Sequence, residues 1–365
     1  MLSVIWSHYP RETTLAGLLM LATTASGVLL ACGLSLRQLT DALSRALEAT
    51  LVLSFLLELY VALVLQHPLI PAYMRDWTEV PPSYIWVEGN IFRGGPIQGI
   101  VGNRNPLAFI ALLTLICVAV RWRDNRLRLP NFIVWSALSV LTLFLTGSAT
   151  VIVAAVVSLV VMLFLWLLRH VPIALRTTVI VVASTLGVGL VAVAIGWHSQ
   201  LTALLGRSSD MTGRWEIWMK VLALWEQHTF LGWGWIMYWV PWIPMFGTLV
   251  IRPDGTPTLS AHNAYIEALF QTGVVGAALI VVLVLTLTFR SFRLAVHYLD
   301  SDASVLLPAL LMTAMVVQSM TESRLLSEGN WVTVCALGTW LGLHEIIERE
   351  HNDPWALEKS VSRAR

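Results

Sequence analysis

Apolar residues in this chain come in long uninterrupted runs, and polar residues gather in the gaps between them. A run of roughly 20 apolar residues is what an α-helix needs to cross a bilayer. That rule predicts about nine spans, near 15–34, 49–66, 106–120, 132–147, 150–168, 177–197, 269–289, 303–320 and 331–347. The run SLRQLTDALSRALEA, residues 35–49, differs: it places Leu36, Leu39, Leu43 and Leu47 on one helical face. It predicts either a surface-lying helix or a lead-in to the second span. No internal repeat is evident. The expected fold is therefore all-α, a polytopic transmembrane helical bundle with one large loop. It divides into N-terminal spans (1–197), a loop (198–268), C-terminal spans (269–347) and a charged tail (348–365).

Composition agrees with the pattern. Of the 365 residues, 57% are hydrophobic and 12% charged, against about 25% charged in an ordinary soluble domain. Mean hydropathy is +0.73. The net charge of +1 comes with no basic run of the kind that tracks a phosphate backbone, so nucleic acid is excluded as a partner. Cys32, Cys117 and Cys335 all fall in apolar runs and read as small buried side chains. No cleavable signal peptide is evident, because the first apolar run is followed by many others.

Basic residues set the orientation. Arg37 and Arg45, Arg121 to Arg128, Arg169 and Arg176, Arg290 and Arg293, and the tail together hold most of the 23 Lys and Arg residues. Those connections are expected to face the cytoplasm. Loops 67–105 and 198–262, and the turn SRLLSEGN, then face outward. An odd number of spans places the N-terminus outside as well.

The outward side collects the candidate chemistry. In 207–276 the spacing of Arg214, Trp215, Trp218, Leu222 and Trp225 predicts a helix with Thr212 as its cap. It reads either as an interfacial helix with tryptophan anchors or as a platform presenting Arg214 to an anion. His262 stands at a helix entry with Asn263 or Ser260 as cap. A histidine exchanges protons near neutral pH and is a natural base for a hydroxyl. In GIVGNRNPLA, Arg104 and the flanking glycines and amides suit an anion; equally, Asn105 caps a helix begun by Pro106. Glu322 at an outer helix end either orients an Arg or His or is a surface charge. Glu58, mid-span, is a functional candidate or a structural partner of a neighbouring helix. No HExxH, CxxC, Walker loop or Asp-x-Asp carboxylate pair is present, so no metal or other cofactor is expected.

Four blocks in order, GNRNPLA, LTGSATVIVAA, TGRWEIWMKVLALWEQHTFLGWGW and AHNAYIEALFQTGVVG, with the turn SMTESRLLSEGNW, resemble the O-antigen ligase and exopolysaccharide polymerase superfamily of bacterial membrane proteins. The resemblance threads roughly residues 100–340. It implies a GT-C-like, metal-independent glycosyltransferase in the bacterial inner membrane, with its active site facing the periplasm. The implied donor is a glycan on a polyprenyl diphosphate such as undecaprenyl diphosphate, and the acceptor a sugar hydroxyl of a glycan or glycolipid. The lipid bilayer is a partner too, and envelope polysaccharide assembly proteins are candidate partners. Carried over by motif, His262 is the acceptor-activating base and Arg214 holds the donor diphosphate. Arg104, Asn105, Asn263 and Glu322 are the expected substrate-binding residues. Trp215, Trp218, Trp233, Trp235 and Trp239 are candidate sugar-stacking walls. One departure stands out: many ligases carry an Arg after the Ser of the second block, and here Ala149 follows Ser148. That leans toward the exopolysaccharide branch. The competing readings are a flippase for a lipid-linked sugar and a non-catalytic subunit of an envelope assembly complex.

Overall fold

The computed structural model describes residues 2–74, 79–196 and 209–352. Among them the architecture is helical, with two isolated β-bridges, Leu69 with Val87 and Ile251 with Pro257. In chain order the α-helices are α1 (Pro10–Gly33), α2 (Leu36–Tyr60), α3 (Arg104–Arg123), α4 (Leu129–Thr146), α5 (Ala149–Leu168) and α6 (Ile173–Gly196). Then follow α7 (Ser209–Trp225), α8 (Pro244–Leu249), α9 (Ala264–His297), α10 (Leu307–Ser319) and α11 (Glu328–Asn352).

Six of these, α1 to α5 and α9, are long and apolar enough to cross a membrane. Of the remaining expected spans, 177–197 corresponds to α6, which is apolar over its described part, Ile173–Gly187, and 303–320 and 331–347 correspond to α10 and α11, which do not meet that test over their described residues. α10 shows why. It has 13 residues, and Leu311, Met312 and Met315 are fully enclosed. It is the bundle's axis, packed between α3, α5 and α9, so its apolar residues serve the core. The run 35–49 is the lead-in: α2 is continuous from Leu36, and Ser35 and Gln38 form a capping box. The charged end of the chain is helical to Asn352; residues 353–365 lie outside the described residues, as do 197–208 of the large loop.

α3 gives the molecule two ends. At its C-terminus Arg121 bonds Asp41 at 2.9 Å and Glu48 at 2.7 Å, while Arg126 bonds Asp41 at 2.8 Å. At its N-terminus sit Asn103, Arg104 and Asn105. Twenty residues at 1.5 Å rise separate these ends by about 30 Å, the thickness of a bilayer core.

α9 is broken where its apolar pattern gives no warning. Gly273 has φ +67° and ψ −172°. A side chain there would collide with the Phe230 carbonyl, so glycine is required. Loop 229–234 plugs the break: Val274 N–H donates to Thr229 and Trp233 N–H to the Phe270 carbonyl. The segment 264–272 thus becomes a separate short helix, clamped by that loop and led in by His262. The expected span 269–289 runs through this break.

Glu58 is a structural residue of the loop before α3. It is fully buried, and one oxygen accepts the N–H groups of Gln98 at 2.7 Å and Gly99 at 2.9 Å. Gly99 itself packs on Ser54 with φ +59°. Glu58→Ala is expected to orphan both donors at roughly 1–3 kcal/mol each, lowering the unfolding midpoint in detergent. Glu58→Gln, which keeps an acceptor oxygen, should lose less. Equal midpoints for all three proteins would show that this carboxylate does not hold the loop.

Candidate active site

The site is assembled at the end of the bundle opposite Arg121, from five separate segments. Asn103, not Asn105, caps α3: its side chain accepts the Asn105 N–H at 3.0 Å. The helix begins at Arg104, and Pro106 falls two residues further in than the first helical position expected for it. The consequence is chemical, because the Asn105 amide is released from capping. Its Nδ2 donates to Glu322 Oε1 at 2.8 Å, and its Oδ1 accepts from the Ser148 hydroxyl at 2.9 Å.

Glu322 is the centre of the group. It lies in the turn after α10 and is only 6% exposed. Arg214 approaches its Oε1 at 3.5 Å, and His262 Nδ1 its Oε2 at 3.4 Å. Burial alone would raise this carboxyl. The His262 hydrogen bond, the charges of His262 and Arg214 and the Asn105 amide outweigh burial and hold it below the usual carboxylate range. It therefore stays ionised and can only accept. Facing it, Nδ1 of a neutral His262 carries the proton, which leaves Nε2 with a free lone pair.

Backbone geometry fixes where His262 stands. Its φ is +50°, a left-handed conformation uncommon for a residue with a side chain. Asn263 ends the turn: its Oδ1 caps the half-helix by accepting from Tyr265 and Ile266, and its Nδ2 donates to the Met320 carbonyl at 3.0 Å. Of the two caps expected, Asn263 is the one used. With Ser323 Oγ accepting the Asn263 N–H at 3.1 Å, this stitches the histidine to the turn that carries Glu322.

These residues border a cavity of about 1050 Å³. Arg104, Asn105, Ser148, Arg214 and His262 line it. Asn263 and Glu322 do not, since their polar atoms are spent on protein partners, and they act from behind the wall. α7 extends back to at least Ser209, so Thr212 lies within the helix and not at its start. Arg214 is thereby presented from a formed turn.

Reading the sequence missed one cation. Arg252 also lines the cavity. It stands at the base of a small hairpin, with its N–H on the Thr256 carbonyl and Ile251 bridged to Pro257. Asp254 ties this hairpin to the opposite wall by accepting from the hydroxyls of Ser83 and Thr256. The signal was present as Arg-Pro-Asp-Gly, a turn signature that fixes the arginine's place. Among the described residues, neither Arg104 nor Arg252 has a side-chain acceptor in the protein, so both guanidinium groups are available to a ligand. Ala149 lines the same cavity and leaves room there.

The tryptophans do not form the cavity wall. Trp235 and Trp239 are buried in two packing clusters, and Trp218 and Trp233 donate their indole N–H groups to the Ala261 and Leu224 carbonyls. Trp215 is 63% exposed and is not part of the cavity lining.

Residues 134–281 match the family model described as O-Antigen ligase (Wzy_C). No curated protein matches the chain. The matched segment contains Ser148, Arg214, Arg252 and His262, and the geometry brings to them Arg104, Asn105 and Glu322 from outside it. The match over residues 134–281 supports placing the chain with the O-antigen ligase superfamily, which implies an enzyme of glycosyltransferase type.

Proposed function

We propose that this protein transfers a glycan from a polyprenyl-diphosphate carrier to a sugar hydroxyl, at the membrane face that carries the cavity. The observation that carries the reading is the His262–Glu322–Arg214 group beside a cavity lined by two further arginines, Arg104 and Arg252, which have no side-chain acceptor among the described residues. The acceptor oxygen forms a bond to the anomeric carbon, whose bond to the diphosphate oxygen breaks. The acceptor proton passes to His262 Nε2, and Glu322 stabilises the imidazolium that results. The leaving diphosphate takes the electron pair, and its charge falls on fixed guanidinium groups that need no reorganisation. Arg214 is the donor ligand nearest the base. Arg252, with Arg104, supplies positive charge that position 149 lacks. Among the described residues no three His, Cys, Asp or Glu side chains converge to hold a cation. Transfer is accordingly expected to persist in EDTA; activity abolished by chelator and restored by magnesium would contradict this.

Sidedness follows from the two ends of α3. The arginine-rich end has the character of a cytoplasmic face, and the cavity end is then outward. With single cysteines in intact cells, an impermeant reagent should label position 252 and spare position 126. Labelling at 126 instead would invert the orientation. In a strain lacking the wild-type protein, His262→Ala should leave short lipid-linked glycan in place of the mature product. Normal long glycan in that strain would remove the case for an enzyme.

A further inference from the structure

Behind the cavity wall lies a second carboxylate, which the chemistry above does not use. Glu267, on the short helix 264–272, is 1% exposed and is not part of the cavity lining. Its Oε2 accepts the Ala261 N–H at 2.7 Å. Its Oε1 accepts Trp239 Nε1 at 2.6 Å and Gln271 Nε2 at 2.6 Å. With both oxygens spent on protein donors, it has nothing to offer a substrate.

Its partners are placed tellingly. Ala261 precedes His262 in the chain. The Ala261 carbonyl accepts Trp218 Nε1 at 2.9 Å, and Trp218 lies one turn beyond Arg214 on α7. One carboxylate therefore holds the immediate neighbour of the base, and through one peptide group the helix of the donor-binding arginine. Gln271 widens the frame by accepting the Ile236 and Met237 N–H groups at 2.9 and 3.3 Å. An isolated buried carboxylate is costly. One that meets several converging donors is a rigid fixture, because each bond removes a way for the loop to relax. The left-handed backbone of His262 needs such a fixture, since a residue with a side chain does not hold that conformation unaided.

We propose that Glu267 is a positioning residue that sets His262 against Glu322 for proton transfer. The inference rests on the reading of His262 as the base. Glu267→Gln preserves shape but turns an amide N–H₂ toward a donor, either Ala261 N–H or the Trp239 and Gln271 pair. With purified full-length protein and a synthetic polyprenyl-diphosphate-linked oligosaccharide as probe, turnover should fall by about tenfold to 10²-fold, the scale of an ångström of misplacement. Probe binding should be unchanged.

The deciding arm is the double variant. If Glu267 acts through His262, adding Glu267→Gln to His262→Ala removes nothing further from the residual rate. The same fold-loss in both backgrounds, or full activity of Glu267→Gln alone, overturns the proposal. A His262→Ala variant with wild-type turnover would instead overturn the base assignment, whatever Glu267→Gln does. If Glu267→Gln fails to fold, Trp239→Phe serves in its place: it removes one N–H from the Glu267 carboxylate and keeps an aromatic ring. It should show a smaller loss with the same dependence on His262, and an equal loss in both backgrounds counts against the proposal.

Discussion

His262→Ala is expected to cut transfer by about 10²–10⁴-fold while leaving donor binding intact, the loss typical of a removed acid–base group. The geometry says why the two effects separate. In the proposed reaction His262, with Nδ1 on Glu322, offers its remaining nitrogen to the acceptor hydroxyl, while arginines lining the cavity meet the donor's charges. A residue that acts only as the proton moves lowers turnover without loosening the ground state. Glu322→Gln tests the same dyad from behind. It removes the charge that stabilises the imidazolium and lets the Nδ1 contact form with the wrong tautomer, so it should lower turnover by a smaller factor. If His262→Ala lost donor binding and kept normal turnover of whatever bound, the base assignment would be wrong.

Arg214→Ala carries the second large effect, and it should appear in both assays. An arginine stays protonated, so its contribution is charge and geometry. A charge-assisted contact worth roughly 1.5–3 kcal/mol corresponds to about tenfold to a hundredfold weaker donor binding. Turnover falls further, because negative charge grows on the leaving diphosphate. Losing Arg214 also takes one cation from Glu322, which keeps His262 and the Asn105 amide. Arg214→Lys should restore part of the loss, since a point charge lacks the two-pronged fork. Arg252→Ala should weaken binding with little effect on the dyad, because it touches neither Glu322 nor His262. Wild-type behaviour of Arg214→Ala in both assays would return α7 to the role of an interfacial anchor.

How much of this was legible in the sequence varies by residue, and locality decides it. The cap at Asn263 was readable because a cap bonds N–H groups two and three residues ahead. The cap of α3 was misplaced by two residues because Asn103 and Asn105 are chemically equal, and only the fold reveals that one is wanted elsewhere. The break at Gly273 was hidden, since apolar residues continue on both sides and the loop that plugs it comes from forty residues earlier. Arg252 was overlooked because its importance lies in the wall it faces, although its turn could be read. Glu322 could be a surface charge by sequence; it becomes the centre of the site only when α10 buries the turn that carries it. The helical bundle itself was plain from its apolar runs. The number of crossings was less so, because a run such as α10 is short and enclosed by other helices, and hydropathy alone does not tell a core helix from a span.

The most direct measurement is transfer by the purified protein in liposomes, supplied with a polyprenyl-diphosphate-linked oligosaccharide and an acceptor glycan. Wild-type protein should release polyprenyl diphosphate in step with a longer or newly attached glycan, and His262→Ala should bind the donor without releasing it. Movement of intact donor across the bilayer with no bond made or broken, unaffected by His262→Ala, would contradict the account.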